Sequence, residues 1–143
     1  MKTSLLVIVI SFFCYTLNAQ SNEIDKLIDN LNNNQLRGTC HYAWVLEINS
    51  KSADSLMTIG KSATSKLLPW LDDSNKGLIV HCILSHIWIE DFSIGSSFEK
   101  FNDEGIVEYT YNELYFYEKD SKMIIDKNAL ETNKKKWIKK FSN

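Results

Sequence analysis

The chain contains 143 residues, of which 44% are hydrophobic and 24% are charged, and its formal net charge at pH 7 is −2. These values are close to those of an average globular domain, and they exclude a collagen-like, low-complexity or multispanning membrane protein. A single Pro and five Gly also argue against a fold dominated by turns.

The first 19 residues have the pattern of a secretory signal peptide. Lys2 supplies a positive start, residues 5–13 form an apolar run, and Ala19 precedes a polar stretch. The run is shorter than the roughly 20 residues needed to cross a bilayer. We therefore expect cleavage after Ala19, export to the periplasm or the medium, and one globular domain over residues 20–143. Contact with a membrane is expected only through this segment, if it is not cleaved.

The two cysteines that follow the predicted cleavage site allow two states. In an oxidising compartment, Cys40 and Cys82 can form one disulfide. Both also lie in apolar stretches, where a free Cys is common as a small buried side chain. The sequence leaves the bridge and the pair of buried thiols as alternatives.

Residues 20–89 are predicted to be helical. The first helix has one apolar face, because Ile24, Leu27, Ile28 and Leu31 follow helical spacing. The apolar run over residues 40–48 is predicted as a buried helix from its helical neighbours. Further helices are predicted over residues 50–60, ending at Gly60, and over residues 62–72, which Pro69 should bend or restart near Leu67. The helix predicted over residues 78–89 is apolar all round and therefore central.

Part of this region resembles a known repeat. The pattern of residues 52–88 resembles that of the helix-turn-helix unit of HEAT-like repeats. The residues that carry the resemblance are Ala53, Leu56, Ile59, Gly60, Ala63, Leu67, Leu68, Leu71, Asp72, Asp73, Leu78, Ile79 and Val80. A solenoid needs about three units to bury its faces, and the chain offers one unit and one following helix. The resemblance therefore implies a helical hairpin inside a small domain.

The last third of the chain changes character. Residues 90–105 are polar and predicted to be a long loop. Residues 106–111 and 114–117 are β-branched and aromatic and are separated by Asn112 and Glu113, which predicts a hairpin, and residues 123–125 predict a third strand. A closing helix over residues 126–141 is expected to bury one face, formed by Leu130, Trp137, Ile138 and Phe141.

These elements predict an α+β fold that is mainly α. A small helical bundle with the HEAT-like hairpin occupies residues 20–89, a short antiparallel hairpin or meander follows over residues 106–126, and a C-terminal helix covers residues 127–141. Charge is uneven along this order, since residues 127–143 contain six basic and one acidic residue. The lysines near the helix end are predicted to form a solvated face, and the acidic remainder argues against a nucleic-acid partner.

The Cys and His residues are the candidates for metal or nucleophilic chemistry. Cys82 and His86 lie four residues apart on a predicted helix, and Cys40 or His41 would have to complete a site with them. Adjacent residues rarely point the same way, and no CxxC or established catalytic motif is present. We therefore predict no metal, no cofactor and no catalytic residue, and His81 is expected to be a structural residue like its neighbours.

The tyrosines of the predicted hairpin are the candidate interaction surface. Tyr109 and Tyr111 alternate along the first strand, and Tyr115 and Tyr117 along the second. If one face carries all four, it forms a Tyr-rich patch suited to a protein or a glycan; otherwise the rings cover the core.

These observations predict an exported, non-enzymatic interaction domain with a protein partner, and an immunity-type or inhibitor role is one version of it. The alternatives are a metal-binding protein or an enzyme that uses the Cys and His residues, and a glycan-binding protein that uses the Tyr-rich hairpin.

Overall fold

The computed structural model describes residues 21–40, 44–89, 98–101 and 106–142, and its fold is α+β and mainly helical, as predicted. The regular elements are, in chain order, α1 (residues 21–29), β1 (Leu36–Cys40), β2 (Trp44–Ile48), α2 (Lys51–Ile59), α3 (Thr64–Leu67), α4 (Gly77–Trp88), β3 (Phe98–Phe101), β4 (Val107–Tyr111), β5 (Leu114–Lys119), β6 (Lys122–Ile124) and α5 (Lys127–Phe141). None of the helices in this described part is both long enough and apolar enough to cross a membrane. The predicted signal peptide lies outside it.

Helix α4 is the centre of the core. All nine residues from Gly77 to Ser85 are buried, which confirms the prediction of a central helix. The apolar face predicted for α1 is also confirmed, since Ile24, Ile28 and Leu31 are buried and Leu27 packs against the core. The other helices and both sheets supply the remaining buried side chains, so the core is shared by most of the described elements.

The predicted ends of α2 are confirmed, whereas the helix predicted over residues 62–72 is present only as α3 between 3-10 turns. The Ser50 hydroxyl caps α2 by accepting a hydrogen bond from the Ala53 amide at 3.3 Å, and α2 ends before Gly60. Pro69 lies near the start of a 3-10 turn, Leu68–Asp72, that follows α3. Pro fits there because its missing N–H is one that the first turn leaves unpaired in any case.

The helix predicted over residues 40–48 is wrong. The structure has an antiparallel hairpin there, in which β1 pairs with β2 and Leu36 lies opposite Ile48. The first strand was hidden by Gly38, which has little strand propensity. This glycine is needed because a Cβ at its position would collide with the hydroxyl of Tyr109.

The long loop predicted over residues 90–105 is also wrong in part. Phe98–Phe101 forms β3, which pairs antiparallel with β4 and places Phe101 opposite Val107. The predicted hairpin and third strand are confirmed as β4, β5 and β6, so the sheet is a four-stranded meander in the order β3-β4-β5-β6. The sequence pattern does not indicate β3, because β4, the strand with which it pairs, is separated from it by a polar stretch. Residues 90–97 and 102–105 are outside the described residues.

The predicted face of α5 is wrong at one position. Leu130 and Trp137 are buried, but Ile138 is 44% exposed. The buried line of this helix runs instead through Asn133, which is 6% exposed. Successive helical residues are rotated by about 100°, so Ile138 follows Trp137 out of the contact with the core.

Gly77 allows α4 to begin directly under the preceding turn. A Cβ there would lie 2.5 Å from the backbone oxygen of Leu71 and 3.0 Å from a methyl carbon of Leu130.

We expect Gly77→Ala to lower the free energy of unfolding by about 1–3 kcal/mol, as overpacking does. Urea denaturation measures this change. The matched control is Lys51→Ala at the exposed first position of α2, which should stay within about 0.5 kcal/mol. A stabilised Gly77→Ala protein, as helix propensity alone would give, would contradict the packing.

Candidate functional site

His81 is a polar side chain in the middle of the most apolar helix, and both of its ring nitrogens are paired. Its Nε2 lies 2.8 Å from the backbone oxygen of Tyr111, at the end of β4. Its Nδ1 accepts a hydrogen bond from the indole N–H of Trp137 on α5, at 3.0 Å. A carbonyl only accepts and an indole only donates, so the imidazole must be neutral with its proton on Nε2. His81 therefore joins α4, the hairpin and α5.

Burial keeps this imidazole neutral. The pKa of His81 is lowered from 6.5 to about 4, mainly by desolvation; the hydrogen bond to Tyr111 acts in the opposite direction, and the nearby positive charge of Lys136 adds to the lowering. A group that is fully enclosed and paired on both sides cannot exchange protons with a substrate. In the structure His81 thus connects α4, the hairpin and α5 as a buried neutral side chain.

Ser85 makes a second connection one helical turn further along α4. Its hydroxyl donates to the backbone oxygen of His81 at 2.8 Å and accepts from the side-chain amide of Asn112 at 2.9 Å. Asn112 and Glu113 form the hairpin turn with φ angles of 44° and 65°, which are typical of a type I′ turn. The tip of the β4–β5 hairpin is therefore fixed to α4.

A cleft lies between this hairpin tip and α5, and we call it the hairpin groove. One part has a volume of about 190 Å³ and is lined by Asn112, Glu113, Asn133, Lys136, Trp137 and Lys140. A second part of about 320 Å³ shares three of these residues, and is lined by Glu113, Leu114, Tyr115, Asn128, Ala129, Thr132, Asn133 and Lys136. The lining of the groove is more polar in the smaller part and more apolar in the larger part, and it carries charges of both signs.

Two lysines and one amide dominate the chemistry of the smaller part. The Lys136 ammonium lies 3.2 Å from a carboxylate oxygen of Glu113, and the Lys140 ammonium lies 5.1 Å from the ring centre of Trp137. The Nδ2 of Asn133 is buried and has no hydrogen-bond partner among the described residues. Such an unpaired buried donor costs about 1–3 kcal/mol, and native structures contain few of them.

The structure divides the four predicted tyrosines between two faces of the sheet. Tyr109 and Tyr111 are 0% and 9% exposed and face the core, whereas Tyr115 is 50% exposed. Tyr117 is half-buried on the outer face with Tyr115. The prediction of a single Tyr-rich face is therefore wrong, because the register places Tyr109 opposite the buried Phe116. Of these residues, only Tyr115 lines the hairpin groove.

The Cys and His candidates do not converge on a site in the described part of the chain. Cys82 is a free, fully buried thiol whose pKa is raised by desolvation, and His86 is exposed. The side chain of Cys40 and all of His41 lie outside the described residues. Among the residues that are described, no group of three or more His, Cys, Asp or Glu side chains could hold a metal ion. The structure thus describes Cys82 as a free buried thiol, whereas the state of Cys40 lies outside the described side chains.

Sequence reasoning missed the polar residues that build the groove. Ser85, Asn112 and Asn133 are distant from one another in the chain, and only the folded structure brings their elements together. Trp137 and the lysines were assigned to a core stripe and a solvated face. One signal was available, since His81 and Ser85 lie four residues apart on a helix that is otherwise nearly all apolar.

Comparisons of the chain with protein-family models, with curated proteins and with solved structures found no match. The groove is therefore interpreted from its own geometry.

The His81 connection predicts a specific pH dependence of stability. At pH 5 the unfolded state protonates His81 near its ordinary pKa of 6.5, whereas the folded state does not until about pH 4. The stabilisation is thus complete above pH 6.5 and is lost as the pH falls toward 4. This difference amounts to about 2 kcal/mol between pH 7 and pH 5.

Urea denaturation of the wild-type and His81→Gln proteins at both pH values measures the effect. We expect His81→Gln to be less stable at pH 7 and to lose about 2 kcal/mol less than the wild type on acidification. His86→Gln is the control and should retain the wild-type dependence, because His86 is exposed. Parallel losses in the wild-type and His81→Gln proteins would contradict the buried, neutral imidazole.

Proposed function

We propose that the chain is an exported, non-enzymatic binding protein that contacts a protein partner through the hairpin groove. The observation that carries this proposal is a cleft whose two walls are both fixed to α4 through hydrogen bonds, two of them buried and one part-buried. A preorganised cleft loses little conformational entropy on binding, which favours recognition. The export part of the proposal depends on the pattern of residues 1–19.

The side chains at the groove suit a protein partner. Tyr115 is a large hydrophobic side chain that is 50% exposed, and it lies at the larger part of the groove. Tyrosine is enriched in protein interfaces because its ring buries apolar area while its hydroxyl stays hydrated. Glu113 and Lys136 add a charged pair at the rim, which favours specificity over affinity.

The charge distribution supports an inhibitor-type version of this role. Helix α5 carries six lysines and one glutamate, whereas the remainder of the predicted mature chain is acidic. A partner can therefore be oriented by two surfaces of opposite sign. The resemblance of residues 52–88 to a HEAT-like unit agrees with a binding role, since such repeats present surfaces for partners.

Site-specific photo-crosslinking tests the proposal. A photoreactive phenylalanine derivative at position 115 should give one saturable crosslinked product with extracts of the source cells. The same group at Ser55, which is exposed on α2 and lines neither part of the groove, is the control and should give none.

Competition makes the test specific. Excess unlabelled wild-type protein should abolish the product, and excess Lys136→Glu/Lys140→Glu protein should not, because both lysines line the groove. Equal crosslinking from positions 115 and 55, or equal competition by both proteins, would contradict the groove as the contact surface.

A further inference from the structure

We propose that the smaller part of the hairpin groove binds a carboxylate, and that an acidic segment of the partner protein supplies it. The site consists of Asn133, Lys136 and Lys140, with Glu113 as an internal competitor. This inference rests on the proposed function, because it names the chemistry by which the same groove recognises its partner.

The first observation is the state of Asn133. It is 6% exposed, it lines both parts of the groove, and its Nδ2 has no acceptor among the described residues. The terminal torsion of Asn is broad, so rotation of the amide can direct its N–H donors toward the cleft. A buried donor that borders a cleft and lacks an acceptor is complementary to a ligand that brings one.

The second observation is that the chain already places a carboxylate on Lys136. The pair formed by Glu113 and Lys136 has an N–O distance of 3.2 Å, and the two side chains are 77% and 55% exposed. Exposed pairs of this kind are weak, so a ligand carboxylate can replace that of Glu113. In the structure, the carboxylate of Glu113 thus takes the place on Lys136 that a ligand carboxylate would take.

The third observation is that Lys140 and Trp137 line the same part, each about one helical turn further along α5 than Lys136 and Asn133. The Lys140 ammonium lies 5.1 Å from the ring centre of Trp137, which itself is held by His81. A ligand carboxylate between the two lysines would contact two cations and one amide donor. Charge-assisted hydrogen bonds of this kind are stronger than those between neutral groups.

The dimensions fit an amino-acid side chain. The volume of this part is about 190 Å³. A cavity of about 150 Å³ accommodates a benzene molecule. A glutamate side chain has five heavy atoms beyond its Cα, so it can enter while the rest of its segment lies along the wider part near Tyr115.

Binding of a fluorescent hexaglutamate peptide, followed by anisotropy at low ionic strength, tests the proposal. The wild type should bind it at least tenfold more tightly than a hexaglutamine peptide of the same length. Lys136→Met and Lys140→Met should each weaken binding about tenfold. Lys135→Met is the matched control, because Lys135 is exposed on the same helix but lines neither part of the groove, and its effect should stay below about twofold.

Two further variants test the amide and the competitor. Asn133→Asp should abolish binding, because it replaces the donor with a second carboxylate. Glu113→Gln should strengthen binding severalfold, and since Glu113 is exposed this variant keeps the test valid if Asn133→Asp does not fold.

Several outcomes would overturn the inference. These are equal losses in all three lysine variants, unchanged binding by Glu113→Gln, and no preference for hexaglutamate over hexaglutamine. Each is distinguishable from failure of the proposed function, because specific crosslinking from position 115 would persist if the groove binds a partner by other contacts.

Discussion

The structure depends on one buried side chain, the neutral imidazole of His81. It lies within the apolar centre of α4 and bridges the end of β4 and the indole of Trp137. A buried polar group is tolerated only when it is paired, and here both ring nitrogens have the partner that their protonation state requires. The same hydrogen bonds that satisfy the imidazole therefore fix where the hairpin and α5 lie relative to α4.

The hairpin groove is a consequence of that arrangement. Ser85 repeats the connection one turn later by holding Asn112 at the hairpin tip, so both walls of the cleft share one support. The apolar contacts do not determine such a position alone, since hydrophobic attraction is not directional. Asn133 departs from the rule of paired buried groups, and it does so at the cleft, where an unpaired donor can have a binding role. The hydrogen-bonding groups of His81 in the core are thus paired, whereas the buried amide of Asn133 at the cleft is not.

The sequence predicts the elements whose stability is local. The apolar face of α1, the Ser50 cap, the helix break next to Pro69 and the Asn112–Glu113 turn all follow from spacing or residue type, and the structure has each of them. The two errors in strand assignment, at β1–β2 and β3, involve strands with a glycine or a polar flank, whose stability comes from pairing. The groove was not predictable because its residues come from a turn and a helix that are distant in the chain and come together only in the folded structure. The exposure of Ile138 was not predictable for a similar reason, since the buried face of a helix depends on which elements pack against it.

The protonation state of His81 tests the central claim most directly. Long-range ¹⁵N–¹H correlation spectra of the folded protein report which ring nitrogen carries the proton. We expect the neutral form with the proton on Nε2 at both pH 7 and pH 5, because burial lowers the pKa of His81 to about 4. A doubly protonated ring at pH 5, or a proton on Nδ1 at pH 7, would mean that Trp137 and Tyr111 are not joined through this side chain.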